Sequence, residues 1–162
     1  MRRGGIAILD TGPIWELVLY NAVKQLGFAS LEEDLAYFVN PQAYENCGIF
    51  LSTFARKTTS ASVVAELYHR IRPTEAKGHP KLWELVYEEF KNMRMDEDVV
   101  RLLDMEPNLV AKYGPTDVSL LEIARRNLGR GPVILTVDAR FHMECKKTGT
   151  RSELLIEVCN PE

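Results

Sequence analysis

Two apolar runs in this chain end the same way. Ile6-Ala7-Ile8-Leu9 is closed by Asp10, and Val133-Ile134-Leu135-Thr136-Val137 is closed by Asp138. Neither run alternates apolar with polar residues, as a strand with one wet face does. Strands of this kind belong to a parallel sheet covered by helices on both faces. Around them, apolar residues recur at helical spacing: Ile14, Leu17, Val18 and Ala22 predict a helix over about 14–25, which Gly27 stops. Val64, Leu67, Tyr68 and Ile71 mark another, ended by Pro73, and Leu82, Val86, Phe90 and Met93 mark a third over about 81–93. Short helices are read near 107–113 and 117–128, a second strand at Val99–Met105 and a closing strand at Leu154–Val158. Leu31–Val39 reads as helical with Pro41 as its end, Ile49–Phe54 fits strand or helix, Thr58-Thr59-Ser60 tolerates strand, and Gly78-His79-Pro80 is a loop. Strand and helix alternate, which makes an α/β fold, a three-layer α/β/α sandwich with a mostly parallel central sheet.

Composition narrows the function. The 162 residues fit a single domain over 1–162. No apolar run reaches the ~18–20 residues of a membrane span, and the stretch after Met1-Arg2-Arg3 is too short for a signal peptide. With 20 Lys+Arg against 23 Asp+Glu, the net charge of −3 argues against nucleic-acid binding through bulk positive charge and leaves a local basic patch open. Cys47, Cys145 and Cys159 are odd in number and widely spaced, which favours reduced thiols in a cytoplasm. His69, His79 and His142 form no H-E-x-x-H pair, so a zinc hydrolase has little support.

In parallel sheets ligands bind beyond the carboxyl ends of the strands. Asp10 and Asp138 finish strands there, and Asp117 opens a helix after the loop Tyr113-Gly114-Pro115-Thr116. Each has an ordinary structural use: an Asx-type turn for Asp10, a favourable place in the helix dipole for Asp117, an N-cap for Asp138. Ser119-x-x-Glu122 also matches a capping box, which would leave Asp117 in a loop. Together they are more informative. Like carboxylates brought close cannot all stay ionised without a cation, and a hard divalent ion with oxygen ligands, Mg²⁺ or Mn²⁺, is the natural resolution.

Four segments resemble the motifs of the PIN-domain nucleases, in the family's order. Ile8-Leu9-Asp10-Thr11-Gly12-Pro13-Ile14 looks like the family's opening strand, and Ser62-Val63-Val64-Ala65-Glu66-Leu67 like its second motif. Thr116-Asp117 with the helix Val118–Arg126 looks like the third, and Ile134-Leu135-Thr136-Val137-Asp138 followed by Phe141 is similar to the fourth. The resemblance implies a metal-dependent endoribonuclease in which Asp10, Glu66, Asp117 and Asp138 bind Mg²⁺ or Mn²⁺ and carry catalysis, with Thr11 and Thr136 in support. It implies RNA as substrate and, for a toxin of a toxin–antitoxin pair, an antitoxin protein and a homodimer. An RNA-processing role is equally open. Periodicity alone makes Glu66 a solvated residue opposite the apolar face of its helix; only the motif promotes it.

An acidic cluster repels a polyanion, so basic residues are needed at its rim. Arg140, two residues past Asp138, is the first candidate for phosphate contact, among Arg125, Arg126, Arg130, Lys146, Lys147, Arg151, Arg56-Lys57 and Arg70/Arg72. Tyr113 is a candidate for stacking a base; Phe141, Trp15, Trp83 and Tyr87 are expected in the core. The stretch between Asp10 and Glu66 is longer than in toxin-like members, which suggests an insertion over about 27–54. Haloacid-dehalogenase-like phosphatases need a second Asp where this chain has Gly12, and no P-loop is present. Outside enzymes, the alternative is a catalytically silent PIN-like module that binds RNA or a protein.

Overall fold

The structure, a computed structural model, describes residues 3–76 and 81–162. Its five strands are β1 (Arg3–Leu9), β2 (Phe54–Ser60), β3 (Met95–Asp98), β4 (Pro132–Thr136) and β5 (Ser152–Leu154). They form one sheet in the order β3-β2-β1-β4-β5, and every pairing is parallel. The α/β/α sandwich expected from the apolar runs is the fold observed. β1 is central, Ile6–Leu9 is buried on both faces, and β4 is buried along its length.

The linking helices are α1 (Thr11–Leu26), α2 (Pro41–Ser52), α3 (Ala61–Ala76), α4 (Leu82–Met93), α5 (Pro107–Tyr113), α6 (Pro115–Arg126), α7 (Ala139–Lys147) and the short α8 (Leu155–Cys159). Asp10 caps α1 by accepting from the Thr11 N–H, and Gly27 ends it in the left-handed region at φ 69°. Helices α1 and α4 pack together, α1 also against β4 and α4 against β3, while α6 packs on β1, β2 and β4, and α7 on β4 and β5. Among the described residues no helix is long and apolar enough to cross a membrane. Cys47, Cys145 and Cys159 are buried and unpaired, and burial pushes the thiols of Cys47 and Cys145 up to about 12.

Several elements differ from the sequence expectation. The second strand to leave the core is not Val99–Met105. That segment is a bend and a 3-10 turn whose Val99, Leu102 and Leu103 are exposed; the strand, β3, lies just before it in Met95-Asp96-Glu97-Asp98. Only Met95 of β3 is buried, because an edge strand pairs through its backbone and leaves its side chains to solvent. Its Asp96 and Asp98 instead pair with Arg56 of β2 at 3.0 and 3.2 Å. Leu154–Val158 is the end of β5 followed by α8 rather than a strand. Pro73 does not end α3, which continues to Ala76. Ile49–Phe54 resolves into the end of α2 and the start of β2, and the loop read at Gly78-His79-Pro80 lies outside the described residues.

Leu31–Val39 is not a helix. A 3-10 turn covers Ala29–Asp34, and the amides of Ala36, Tyr37 and Phe38 then donate to the buried Glu16 carboxylate of α1 at 2.8–3.2 Å. Those donors are satisfied by a side chain instead of a helical turn. The rest of 27–54 builds α2, tied to the far end of the chain where Asn46 Nδ2 donates to the Cys159 carbonyl at 2.8 Å.

Glu89 of α4 is 5% exposed and accepts from Asn21 Nδ2 of α1. Burial pushes its carboxyl up to about 7; the Asn21 hydrogen bond opposes the rise and Glu88 adds to it. The folded state therefore keeps a proton that the unfolded chain releases near pH 4.5. This contribution to stability is full at low pH and is lost as pH rises through about 7. Urea denaturation from pH 5 to 8 is expected to show wild type losing on the order of 2 kcal/mol more than Glu89→Gln over that window. Identical pH profiles for the two proteins would refute the assignment.

Candidate active site

From β1 the chain moves outward to β2 and β3, then returns to place β4 on the other side of β1. The gap between the carboxyl ends of β1 and β4 is the topological switch point, where α/β sheets bind ligands. Pairing of Leu9 with Leu135 sets Asp10, one residue past β1, beside the end of β4. The Asp10 N–H donates to the Leu135 carbonyl at 3.0 Å. Its Oδ1 accepts from the Thr11 N–H at 2.6 Å, and its Oδ2 accepts from the Thr136 hydroxyl at 2.7 Å.

Thr136 is fully buried and joins two acids. It donates to Asp10 and accepts from the Asp138 N–H at 3.1 Å. Asp138 Oδ1 in turn accepts from the N–H groups of Arg140 and Phe141 at 2.8 and 3.0 Å, capping α7. The N-cap expectation is met, and Asp138 Oδ2 takes no part in it. On the other side of Asp10, the Thr11 hydroxyl donates to Glu66 Oε2 at 2.7 Å. Glu66 is half-buried, so the polar side of α3 lines the cleft instead of open solvent.

Asp117 stands in the first turn of α6, half-buried, with no side-chain hydrogen bond or ion pair among the described residues. The capping-box alternative therefore fails: α6 starts at Pro115, the Ser119 hydroxyl lies inside the helix, 2.7 Å from Ser60 Oγ, and Glu122 pairs with Arg125 and Arg126. Burial first, and then the charges of Asp10, Asp138 and Glu66, push the Asp117 carboxyl up to about 7. Burial likewise raises Asp10 against the pull of its Thr136 and Thr11 hydrogen bonds, with Glu66 and Asp138 adding to the rise. The four carboxylates thus act on one another as a single cluster, and none forms an ion pair among the described residues.

The donor set is all carboxylate oxygen, which suits a hard divalent cation. As the side chains stand, no group of three or more His, Cys, Asp or Glu among the described residues is arranged to hold a metal ion. Both oxygens of Asp10, and one each of Asp138 and Glu66, are turned toward hydroxyl and amide donors.

Neither Ser60 nor Ser119 is among the site residues expected from the sequence. Ser60 closes β2, accepts from the Val63 N–H at 3.2 Å at the start of α3, and meets Ser119 of α6, so it links the elements carrying Glu66 and Asp117. Its signal is a hydroxyl run, Thr58-Thr59-Ser60, at the end of a strand, the same place Thr136 occupies in β4.

Five of the basic residues considered for the rim are committed elsewhere: Arg56 to Asp96 and Asp98, Arg125 and Arg126 to Glu122, Lys147 to Glu144, and Arg151 to Glu153. Arg140 is exposed, forms no ion pair among the described residues, and lies 5.5 Å from the centre of the Tyr113 ring. Phe141 is fully buried, as expected, whereas Tyr87 is 65% exposed and belongs to no core. Trp15 and Trp83 are partly buried against it.

Gly12 fixes the spacing of the two acidic strand ends. A Cβ there would meet Val137 Cγ2 at 2.4 Å and Cγ1 at 2.8 Å, so no larger residue fits between Thr11 and the Thr136-Val137-Asp138 turn. The second Asp of a haloacid-dehalogenase-like site has no room at this position. Gly12→Ala is expected to lower the stability measured by urea denaturation by about 1–3 kcal/mol. Adding Val137→Ala should restore much of the loss; no loss in the single variant, or none recovered in the double, would contradict the contact. The chain matches no protein-family model and no curated protein, so the chemistry of the site rests on these residues.

Proposed function

We propose that this protein is a metal-dependent endoribonuclease that hydrolyses RNA phosphodiester bonds at the Asp10–Glu66–Asp117–Asp138 cluster. The observation that carries the reading is the convergence of four mutually repelling carboxylates, from four separate elements, on the switch point of a parallel sheet. Uncompensated carboxylates cost stability, which a fold retains when the site has a use for a cation. Mg²⁺ or Mn²⁺ fits the donor set; bound there, such an ion supplies a water of lowered pKa and offsets charge developing on phosphate oxygens.

The chain's own residues divide the work. Asp10 is the fixed anchor, held by Thr136 and the Thr11 amide so that its carboxylate cannot swing away. Thr11 holds Glu66 toward the cleft. Asp138 keeps one oxygen on its helix amides and presents the other, while Asp117, with no side-chain hydrogen bond among the described residues, is the acid able to reorient. Asp10, Asp117 and Asp138 would hold the cation, with Glu66 direct or through water. Arg140 at the rim meets the substrate's phosphates.

The reading extends to two biological settings, the toxin of a toxin–antitoxin pair, with an antitoxin protein and a homodimer as partners, or an RNA-processing enzyme. One observation favours a second reading, a catalytically silent module that binds RNA or protein: among the described residues no three acidic side chains are arranged to hold an ion as they stand. Cleavage of a labelled, mostly single-stranded RNA with Mn²⁺, Mg²⁺ or EDTA separates them. Metal-dependent cutting is expected in wild type, reduced by roughly a hundredfold or more in Asp10→Asn and in Asp138→Asn. Cutting that survives both substitutions would overturn the proposal, and RNA binding without any cutting would establish the silent module.

A further inference from the structure

Beside the acidic cluster, a second group of charges has the opposite sign. Tyr113 is the last residue of α5, and Gly114, at φ 87° in the left-handed region, turns the chain directly into α6. That corner sets Tyr113 one turn of chain before Asp117. The Tyr113 hydroxyl donates to Glu144 Oε2 of α7 at 2.5 Å, so its ring is pinned between α5 and the helix that Asp138 caps. Two cations gather on this one ring: Lys112 Nζ lies 4.9 Å and the Arg140 guanidinium 5.5 Å from its centre. Lys147 Nζ stands 3.7 Å from the same Glu144 carboxylate.

Lys147 is thus paired with Glu144, whereas Lys112 and Arg140 lie on the ring, form no ion pair among the described residues, and are exposed. Like charges held this near one another repel. Arg140 opposes the upward pull that Tyr113 and Glu144 exert on the Lys112 ammonium. An aromatic face and a pinned phenol keep the pair in place without neutralising it.

We propose that Lys112 and Arg140, seated on the Tyr113 ring, form a clamp for the backbone phosphates of an RNA strand entering the acidic cleft. The clamp rests on the nuclease reading for its substrate and adds to Arg140 a second cation, Lys112, and the ring that seats both, a means of holding a polyanion beside four carboxylates. Arg140 sits two residues past Asp138 and Tyr113 four before Asp117, so a strand held here is delivered to both acids. Phosphate contacts of this kind position a strand and carry no base sequence.

The test is binding of a fluorescein-labelled single-stranded RNA oligonucleotide to the full chain in EDTA, followed by anisotropy over a series of salt concentrations. Each phosphate neutralised on a single strand contributes about −0.7 to the slope of log K against log[salt]. Lys112→Gln/Arg140→Gln is expected to weaken binding about tenfold or more at low salt and to flatten the slope by about 1.4, while Arg140→Lys keeps the slope. A loss of slope reports lost phosphate contacts, which a general loosening of the fold does not mimic. Wild-type binding with an unchanged slope in the double variant would overturn the clamp and leave the nuclease reading standing. No RNA binding by wild type at low salt would overturn the clamp and its premise together. Metal-dependent cleavage that still required Asp10 would then preserve the catalytic cluster alone.

Discussion

The hydrogen bond from the Thr136 hydroxyl to Asp10 joins the two strand ends on which the rest of the site is hung. It is possible because β1 and β4 pair in parallel, so both finish at the same edge, and because Leu9 stands opposite Leu135. A buried carboxylate without such a donor would cost several kcal/mol or neutralise. With it, Asp10 serves as the fixed point from which Thr11 reaches Glu66 and Thr136 reaches the Asp138 amide. Gly12 against Val137 keeps the two turns close enough for these bonds to exist.

Burial and like charge push in one direction at this edge, and the fold accepts both. Asp117 feels the conflict most, held half-buried within reach of three other acids and without a hydrogen bond among the described residues. The hydroxyls of Thr11, Ser60, Ser119 and Thr136 supply the neutral polar contacts that let the surrounding elements pack here at all. Lys112 and Arg140 stand on the Tyr113 ring, where the proposed clamp would hold a strand without quenching the acids.

How much of this the sequence displayed depended on what each residue faces. β1 and β4 were legible because each carries a continuous buried apolar run that ends at a carboxylate. β3 was not, since an edge strand written Met-Asp-Glu-Asp carries no apolar pattern, and the apolar residues after it, Val99, Leu102 and Leu103, point into solvent. β2 was half-hidden for a related reason: Arg56 and Thr58 are spent on Asp98 of the edge strand. The loop over residues 36–38 looked helical because its apolar residues do pack inward, but a distant glutamate takes its amides. In the site, Asp10 and Asp138 followed from strand ends alone. Glu66 needed the motif resemblance, because a helical wheel does not reveal that a neighbouring threonine turns a polar face into the wall of a cleft.

The central claim is that four carboxylates from separate elements form one cation-holding site. Titration of the chain with Mn²⁺, followed by the electron paramagnetic resonance of the free ion, tests it most directly. The account predicts saturable binding by wild type, weakened about tenfold or more in each of Asp10→Asn, Asp117→Asn and Asp138→Asn while their far-ultraviolet circular dichroism stays native. No saturable binding by wild type, or binding indifferent to all three substitutions, would contradict it.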